Sequence, residues 1–593
     1  MPQQPPSASN PLFRLAFYGI AIVLALAHVF ITFKGLHSAE GMEQAQIARE
    51  LARGHGLQTK VIRPHSWALL EEAGKQPSPM AMAEISQPPI QPFLLAPVFK
   101  LLETHLDYRP GKDGAIYLLD RVVACIGVVG LLLTLLWTHG AARLLFDEKV
   151  AGITVLAVLV CQPLWDLAVS GSSVALLMPM TALAVRLLVS ASLAAHEKQN
   201  CLLQALLLGG VLAVMALTHW LAVWLVLGLL LAGFCAAPGR RKILAIAGVF
   251  PALALILWGV WMMKQCGDPL GGAKTLFQSH LISADASMLD RQFSLNMPAV
   301  QVTELLRKLA GNWQVQLGSL YAHLGYSVLP VLFFVALLHR FKRPEASAVC
   351  LGLSMLALSV MLAMGFAGMP ADSVEDSQFY LLLIPPLSVY GAAMAAILWA
   401  RFFPAGNSLW TQHGFVILVV GITALPMINS LPAQIKTGMT LRGRVYPHWP
   451  PYVPDRVSVV RKLVEPDEML FSDAPWFVAW YADVPTAWVP GQRSDYDLMK
   501  AKAAAANTRI AGFVMTPISA RVEHLHEAFT GPYQEWPDLL FRGLMLAFDR
   551  EFPARPDFEF KVPLPLVAVP VGPKESLSLQ MTFYTDRARA VKE

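Results

Sequence analysis

Ser38-Ala39-Glu40-Gly41-Met42-Glu43-Gln44-Ala45-Gln46-Ile47-Ala48-Arg49-Glu50-Leu51-Ala52-Arg53-Gly54-His55-Gly56 follows directly on the apolar run Leu15 to Phe33. Ser38 is a helix N-cap type and Gly54 a stop, so the spacing predicts a helix over 39–53 of about four turns. Glu40 and Glu43, three apart, then share one face of its first turn. The free N–H groups and macrodipole there favour an ionised carboxylate, which can take a proton from a hydroxyl or amine. Acidic residues also occupy first turns for capping alone, and the spacing does not separate the two roles.

The chain around this helix is mostly membrane. Of 593 residues, 55% are hydrophobic and 15% charged, with mean hydropathy +0.49, too apolar for a soluble protein of this length. Leu15 to Phe33 has no small-residue cleavage site and reads as an uncleaved anchor. By the bilayer-length criterion the chain holds about eleven spans: Leu15 to Phe33, Ala115 to Trp137, Val150 to Leu164, Val174 to Leu193, Leu202 to Leu217, Trp220 to Phe234, Ile243 to Met263, Tyr321 to Leu338, Ala348 to Phe366, Phe379 to Ala400 and Phe415 to Leu431. Arg143, Lys149, Lys198, Arg240 to Lys242, Arg340, Lys342, Arg343 and Arg401 occupy every second short loop, while the alternate ones carry Asp166, or Asp372, Glu375 and Asp376. By the positive-inside rule the basic loops are cytoplasmic, which puts 34–114, 264–320 and the tail together on the opposite face.

The partition expected is a transmembrane domain over 1–431, including the first loop 34–114, and a soluble α/β domain over 432–593. In that tail Asp455 to Leu463 has helical spacing, Glu468 to Phe471 and Ile510 to Met515 read as strands, and a helix is expected from Ser519. The six cysteines fall almost entirely in apolar runs and show no metal-ligand spacing, so buried thiols are the reading. No phosphate-binding glycine loop, nucleophile elbow or nucleic-acid signature is present. No matched pair of glycine-broken spans of the kind inverted-repeat transporters use is visible, which weighs against a transporter.

The run from Glu40 to Gly56, followed by Gln87-Pro88-Pro89-Ile90-Gln91-Pro92-Phe93-Leu94-Leu95, resembles the first periplasmic loop of GT-C glycosyltransferases. The likeness is to the bacterial family 39 group, which includes protein O-mannosyltransferases and the lipid A aminoarabinose transferase. It implies an enzyme of the bacterial cytoplasmic (inner) membrane, multi-pass, with active site and tail on the periplasmic side. The implied reaction moves a sugar, with inversion, from a polyprenyl-phosphate donor to an acceptor lipid, glycan or protein.

Carried over by position, the family's catalytic Asp falls on Glu40, with Glu43 as reserve, and its usual acidic neighbour is here Gly41. Thr218-His219-Trp220 resembles the family's Leu-Thr-Lys element, whose basic residue contacts the lipid phosphate; His219 replaces that Lys. Asp376 to Pro386 resembles the Arg-Tyr-Leu-Leu-Pro type element, with Gln378 at the basic position. Lys60, Arg63 and His65 follow Gly-His-Gly as in bacterial members and are candidates for phosphate or headgroup contact; Glu84, ahead of Pro88-Pro89, is a candidate for orienting the acceptor. Taken singly, each of these four also reads as solvated surface charge. Trp476, Trp480, Tyr481 and Trp488 are flat rings suited to sugars, or core. The resemblance implies no cofactor beyond the lipid-linked sugar and leaves metal dependence open. Gly41, His219 and Gln378 together also support a second reading, an inactive relative that binds lipid-linked glycans or assembles with partners.

Overall fold

The computed structural model describes residues 11–108, 116–282, 286–368, 374–403, 409–440, 454–516, 519, 526–546, 559–570 and 578–589. Among them seven helices are long and apolar enough to cross a membrane: Leu15–Thr32, Leu118–Leu145, Val174–His196, Arg241–Cys266, Pro344–Ala367, Gln378–Phe402 and Gly414–Met439. An eighth candidate is the expected third span, which forms the helix pair Glu148–Leu159 and Gln162–Ser170, bent by 60° at the break. Pro163 explains the break, since its ring displaces the carbonyl four residues back, that of Leu159. That carbonyl is recovered by Trp165 Nε1, which donates to it over 2.7 Å.

Of the three remaining expected spans, two form helices of nearly the expected length that fall short of the length needed to cross a membrane. Leu202–Ala216 and Ala222–Ala236 are helices of 15 residues each. Tyr321 to Leu338 is not one span. Gly325 and Tyr326 take φ values of +66° and +54°, which ends the short helix Leu320–His323 before Val328–Ala336 begins. Runs of apolar letters do not show such a left-handed turn.

The chain divides into two compact units, and they do not follow the sequence partition. The first gathers Met1–Phe33, Val122–Ile256 and Leu306–Arg442; the second gathers Lys34–Arg121, Leu257–Leu305 and Gly443–Glu593. The first loop therefore groups with the tail rather than with the membrane helices, because it supplies a strand to the tail's sheet. In the first unit small residues let helices touch: a Cβ on Gly352 would lie 2.7 Å from the Ala232 carbonyl oxygen, and one on Gly391 only 1.9 Å from that of Leu329.

The strands are β1 (Gln58–Thr59), β2 (Val61–Ile62), β3 (Met82–Ala83), β4 (Glu468–Ser472), β5 (Thr486–Trp488), β6 (Arg509–Met515), β7 (Val562–Pro570) and β8 (Ser578–Thr585). β1 and β3 pair antiparallel, and the other six form one sheet in the order β2-β5-β4-β6-β8-β7. Its first four strands run parallel and its last two pairings are antiparallel. β4 is buried throughout, as a strand covered on both faces must be. Around it pack Met469, Phe471, Phe513, Tyr496, Trp536 and Tyr584, with Ile62 brought in from β2. The expected helix and strands of the tail are found as Pro454–Leu463, β4 and β6, whereas the run expected to be helical from Ser519 lies, apart from Ser519 itself, largely outside the described residues.

Candidate functional site

Within the second unit, the quoted helix forms over Ala39–Ala52. Ser38 Oγ accepts from Gly41 N over 3.2 Å, the expected cap, and Gly54 takes φ +85° beyond the end. Glu40, in the first turn, is half-buried. One turn on, Glu43 is 5% exposed. Arg63 grips it at both oxygens, Nη1 to Oε1 at 2.5 Å and Nη2 to Oε2 at 2.8 Å, and Gln87 Nε2 adds a bond of 3.1 Å. A bidentate guanidinium–carboxylate pair of this kind is directional as well as strong.

Arg63 sits where β2 ends, ahead of the helix Pro64–Glu72. Its Nε donates to Asp290 Oδ2 over 3.0 Å, and Thr275 Oγ1 donates to Asp290 Oδ1 over 2.7 Å. Burial alone would lower the Arg63 guanidinium, yet the Glu43 and Asp290 carboxylates outweigh it and hold it above its ordinary range. Glu84 is buried in the same neighbourhood; its Oε1 accepts from Ser86 N and Gln87 N at 2.6 and 2.8 Å. Burial, with Glu43 adding to it, pushes the Glu84 carboxyl up to about 7 against the pull of Arg63 and the two N–H groups. His65 is buried on the helix after Arg63, and burial lowers it despite Asp290.

Lys60 belongs to a second cluster, around Asp483. Lys60 Nζ donates to Asp483 Oδ1 over 2.5 Å; Arg49 Nη2 reaches the same oxygen at 3.0 Å, and Arg53 Nη2 reaches Oδ2 at 2.9 Å. Burial would raise Asp483, but Arg49, Lys60 and Arg53 hold it well below the usual carboxylate range. Arg49 also donates to the carbonyls of Trp480 and Ala479, each at 2.7 Å. Trp480 and Tyr481 are buried and donate to Asp120 at 2.8 Å each, so they are core rather than sugar platforms.

In the first unit, His219 follows the helix Leu202–Ala216. Leu221 N donates to its Nδ1 over 3.0 Å, which puts the proton of the neutral ring on Nε2. Its ring meets that of Phe379 at 5.0 Å, so the two sequence elements that carry His219 and Gln378 come together. Gln378 is half-buried, and Tyr380 beside it donates to Gln316 Oε1 over 2.8 Å.

The structure thus joins Glu43, Arg63 and Glu84 in one network, joins His219 to the Gln378 element in another, and gives Lys60 to Asp483. Gln87, Asp290, Arg49 and Asp483 are missed from sequence. Arg49 carried a signal in its i, i+4 spacing from Arg53, and Gln87 in opening the Pro88-Pro89 segment. Among the described residues no three His, Cys, Asp or Glu side chains are grouped as a metal ion requires.

No protein-family model matches the sequence, and no curated protein matches it significantly. Solved structures do. The archaeal oligosaccharyltransferase AglB from Archaeoglobus fulgidus, in complex with an inhibitory peptide and a dolichol-phosphate, aligns over 90% of this chain and 72% of its own, with TM-score 0.53 and 11% identity. The Archaeoglobus fulgidus enzyme tethered to an acceptor peptide aligns over 89% and 72%, with TM-score 0.52 and 11% identity. ArnT from Cupriavidus metallidurans, bound to undecaprenyl phosphate, aligns over 87% and 95%, with TM-score 0.47 and 14% identity. What is shared at such identity is the fold: this chain is a polytopic helical membrane protein of GT-C architecture with a soluble C-terminal α/β domain.

Proposed function

We propose that the chain is an inverting glycosyltransferase that takes a sugar from a polyprenyl phosphate and passes it to an acceptor at the periplasmic face of a bacterial cytoplasmic membrane. The observation that carries this reading is the different burial of two glutamates on one helix face. Glu43 is buried and held by Arg63 and Gln87, while Glu40, one turn closer to the capped end, is only half-buried. A base must reach its substrate, so Glu40 takes that role and Glu43 that of an anchor for the helix carrying it. The GT-C fold supports a lipid-linked donor, since AglB was solved with a dolichol-phosphate.

In the proposed reaction an acceptor hydroxyl or amine attacks the anomeric carbon on the side opposite the phosphate. The bond from that carbon to the phosphate oxygen breaks, its electron pair leaves with the lipid phosphate, and the acceptor proton passes to Glu40. Within the first unit, His219 Nε2–H and the Gln378 element lie together and are candidate donors to a lipid phosphate. Arg63 and Lys60 act on carboxylates of the protein, and Glu84 holds the Ser86–Gln87 turn that delivers Gln87 to Glu43.

The test is sugar transfer by the full-length protein in bilayer nanodiscs, supplied with polyprenyl-phosphate mannose or aminoarabinose and a bacterial membrane extract as acceptor. Glu40→Gln should slow transfer by about 10²–10⁴. Equal rates would remove Glu40 from the chemistry. Gly41, His219 and Gln378, each softer than the family's residue, favour the second reading of a binding relative without turnover, which predicts saturable uptake of the lipid-linked sugar and no product.

A further inference from the structure

The second unit holds a buried cation that neither the glutamate network nor the Asp483 cluster uses. Arg291 follows Asp290, the residue that holds Arg63, and is 4% exposed. Its guanidinium lies between two rings, 4.7 Å from the centre of Trp488 and 4.2 Å from that of Tyr533. Nη2 donates to the Tyr533 hydroxyl, whereas Nε and Nη1 are buried with no hydrogen-bond partner among the described residues, as is Trp488 Nε1. All three orphans are donors. A charged donor hidden from water without an acceptor is costly, and native folds keep few of them unless something else fills the need.

A neighbouring carboxylate does not fill it. Asp473 offsets part of the charge, but its oxygens accept from Thr516 N at 3.1 Å, Thr516 Oγ1 at 2.7 Å and Ser519 Oγ at 2.6 Å. Asp290 is likewise taken, by Arg63 and Thr275. The position is telling as well. Asp473 follows β4, Trp488 closes β5 and Thr516 follows β6, so Arg291 lies at the carboxyl edge of the parallel strands, where open α/β sheets bind ligands.

We propose that this edge is a binding site for a sugar bearing an anionic oxygen group, a carboxylate or a phosphate. Arg291 Nε and Nη1 and Trp488 Nε1 donate to its oxygens, and the rings of Trp488 and Trp476, 5.1 Å apart, face the sugar. Trp488 and Tyr533 cover the guanidinium, so the anion enters by displacing one of them. That exchange trades a cation–π contact for charge-assisted hydrogen bonds, the stronger of the two when water is excluded. The site is defined without reference to sugar transfer, and binding can be read with no lipid-linked donor present.

The experiment titrates the purified full-length protein in detergent with glucuronate, glucose 6-phosphate and glucose, following tryptophan fluorescence and calorimetry. At least one acid should bind saturably and at least about tenfold more tightly than glucose, the preferred acid naming the source of the anion. Arg291→Met should weaken that binding by about tenfold or more, and Trp488→Phe, which keeps a ring but loses the N–H, should weaken it by several-fold and abolish most of the fluorescence change. Glucose binding as well as the acids, no saturable binding by either acid, or unchanged affinity in folded Arg291→Met or Trp488→Phe would each overturn the proposal. Because the transfer assay uses other reagents, failure here and failure of Glu40 as base are read separately.

Discussion

Asp483→Asn isolates one charge with little else changed. Asp483 closes the π-helical turn Val478–Ala482 with φ +57°, a left-handed conformation that Asn adopts as readily as Asp, and the two side chains are nearly the same size. What disappears is the negative charge among Arg49, Arg53 and Lys60, whose nitrogens lie 3.0, 2.9 and 2.5 Å from it. The side chains of Arg49 and Asp483 are 0% and 7% exposed, so water cannot replace the lost partner. Removing one member of a buried pair costs about 3–5 kcal/mol. Asn retains part of the hydrogen bonding and Glu50 still serves Arg53 at 2.7 Å, which places the loss near the lower end, about 3 kcal/mol. At about 2–4 °C per kcal/mol for a large domain, the melting transition should fall by about 6–12 °C in a fluorimetric scan. The pH dependence is fixed by sign. Asp483 is held below its unfolded value, so its contribution is complete above about pH 4 and is lost as pH falls through the folded value. The gap between wild type and variant should therefore stay level from about pH 8 to 5 and narrow only in stronger acid. A fall under about 2 °C at neutral pH, or a gap that widens below pH 4, would refute the reasoning.

Arg63→Met should destabilise the chain by about 3–5 kcal/mol, since Glu43 and Asp290 both lose a buried partner, and pairing it with Glu43→Gln should recover part of that in the same thermal scan. Glu84 titrates the other way from Asp483. With its carboxyl at about 7 rather than 4.5, the folded state holds the extra proton, so stability is full in acid and about 3 kcal/mol is lost as pH rises through 7. Glu84→Gln should thus match wild type near pH 4.5 and exceed it at pH 8 in denaturation monitored against pH; a variant weaker than wild type at pH 8 would contradict the burial argument. His219→Lys, which places a fixed cation at that position, should support transfer at least as fast as wild type, checked by initial rates of both proteins.

Most of the membrane architecture was legible because lipid imposes one rule, that apolar helices of bilayer length satisfy their own backbone. Seven of the expected spans stand as such helices among the described residues. The departures occur where a single residue overrides the apolar letters: Pro163 bending the third span, Gly325 and Tyr326 ending a helix before Val328. The sheet was harder. β4 and β6 show as buried apolar runs, but β2 is two residues long and pairs with β5, a strand more than 400 residues away in the chain, through Val61–Thr486 and Ile62–Ala487. No local pattern can announce a partner at that separation, and so the first loop looked like part of the membrane domain.

The same limit decided which charges could be understood. Spacing shows that Glu40 and Glu43 share a helix face, and they do, yet their burial differs: Glu43 is buried with Arg63 on both its oxygens, while Glu40 is half-buried. Lys60 and Arg63, read singly, are free cations suited to a phosphate; in the fold each is bound to carboxylates, one of them on Asp483 in the tail. Arg291 is the reverse, an arginine with no local motif around it that keeps two buried donors unmatched among the described residues. A basic residue therefore points to an anionic ligand only after the carboxylates near it have been accounted for. By that reckoning the cations conspicuous in this sequence hold the protein together, while the inconspicuous one is left with hydrogen bonds to give.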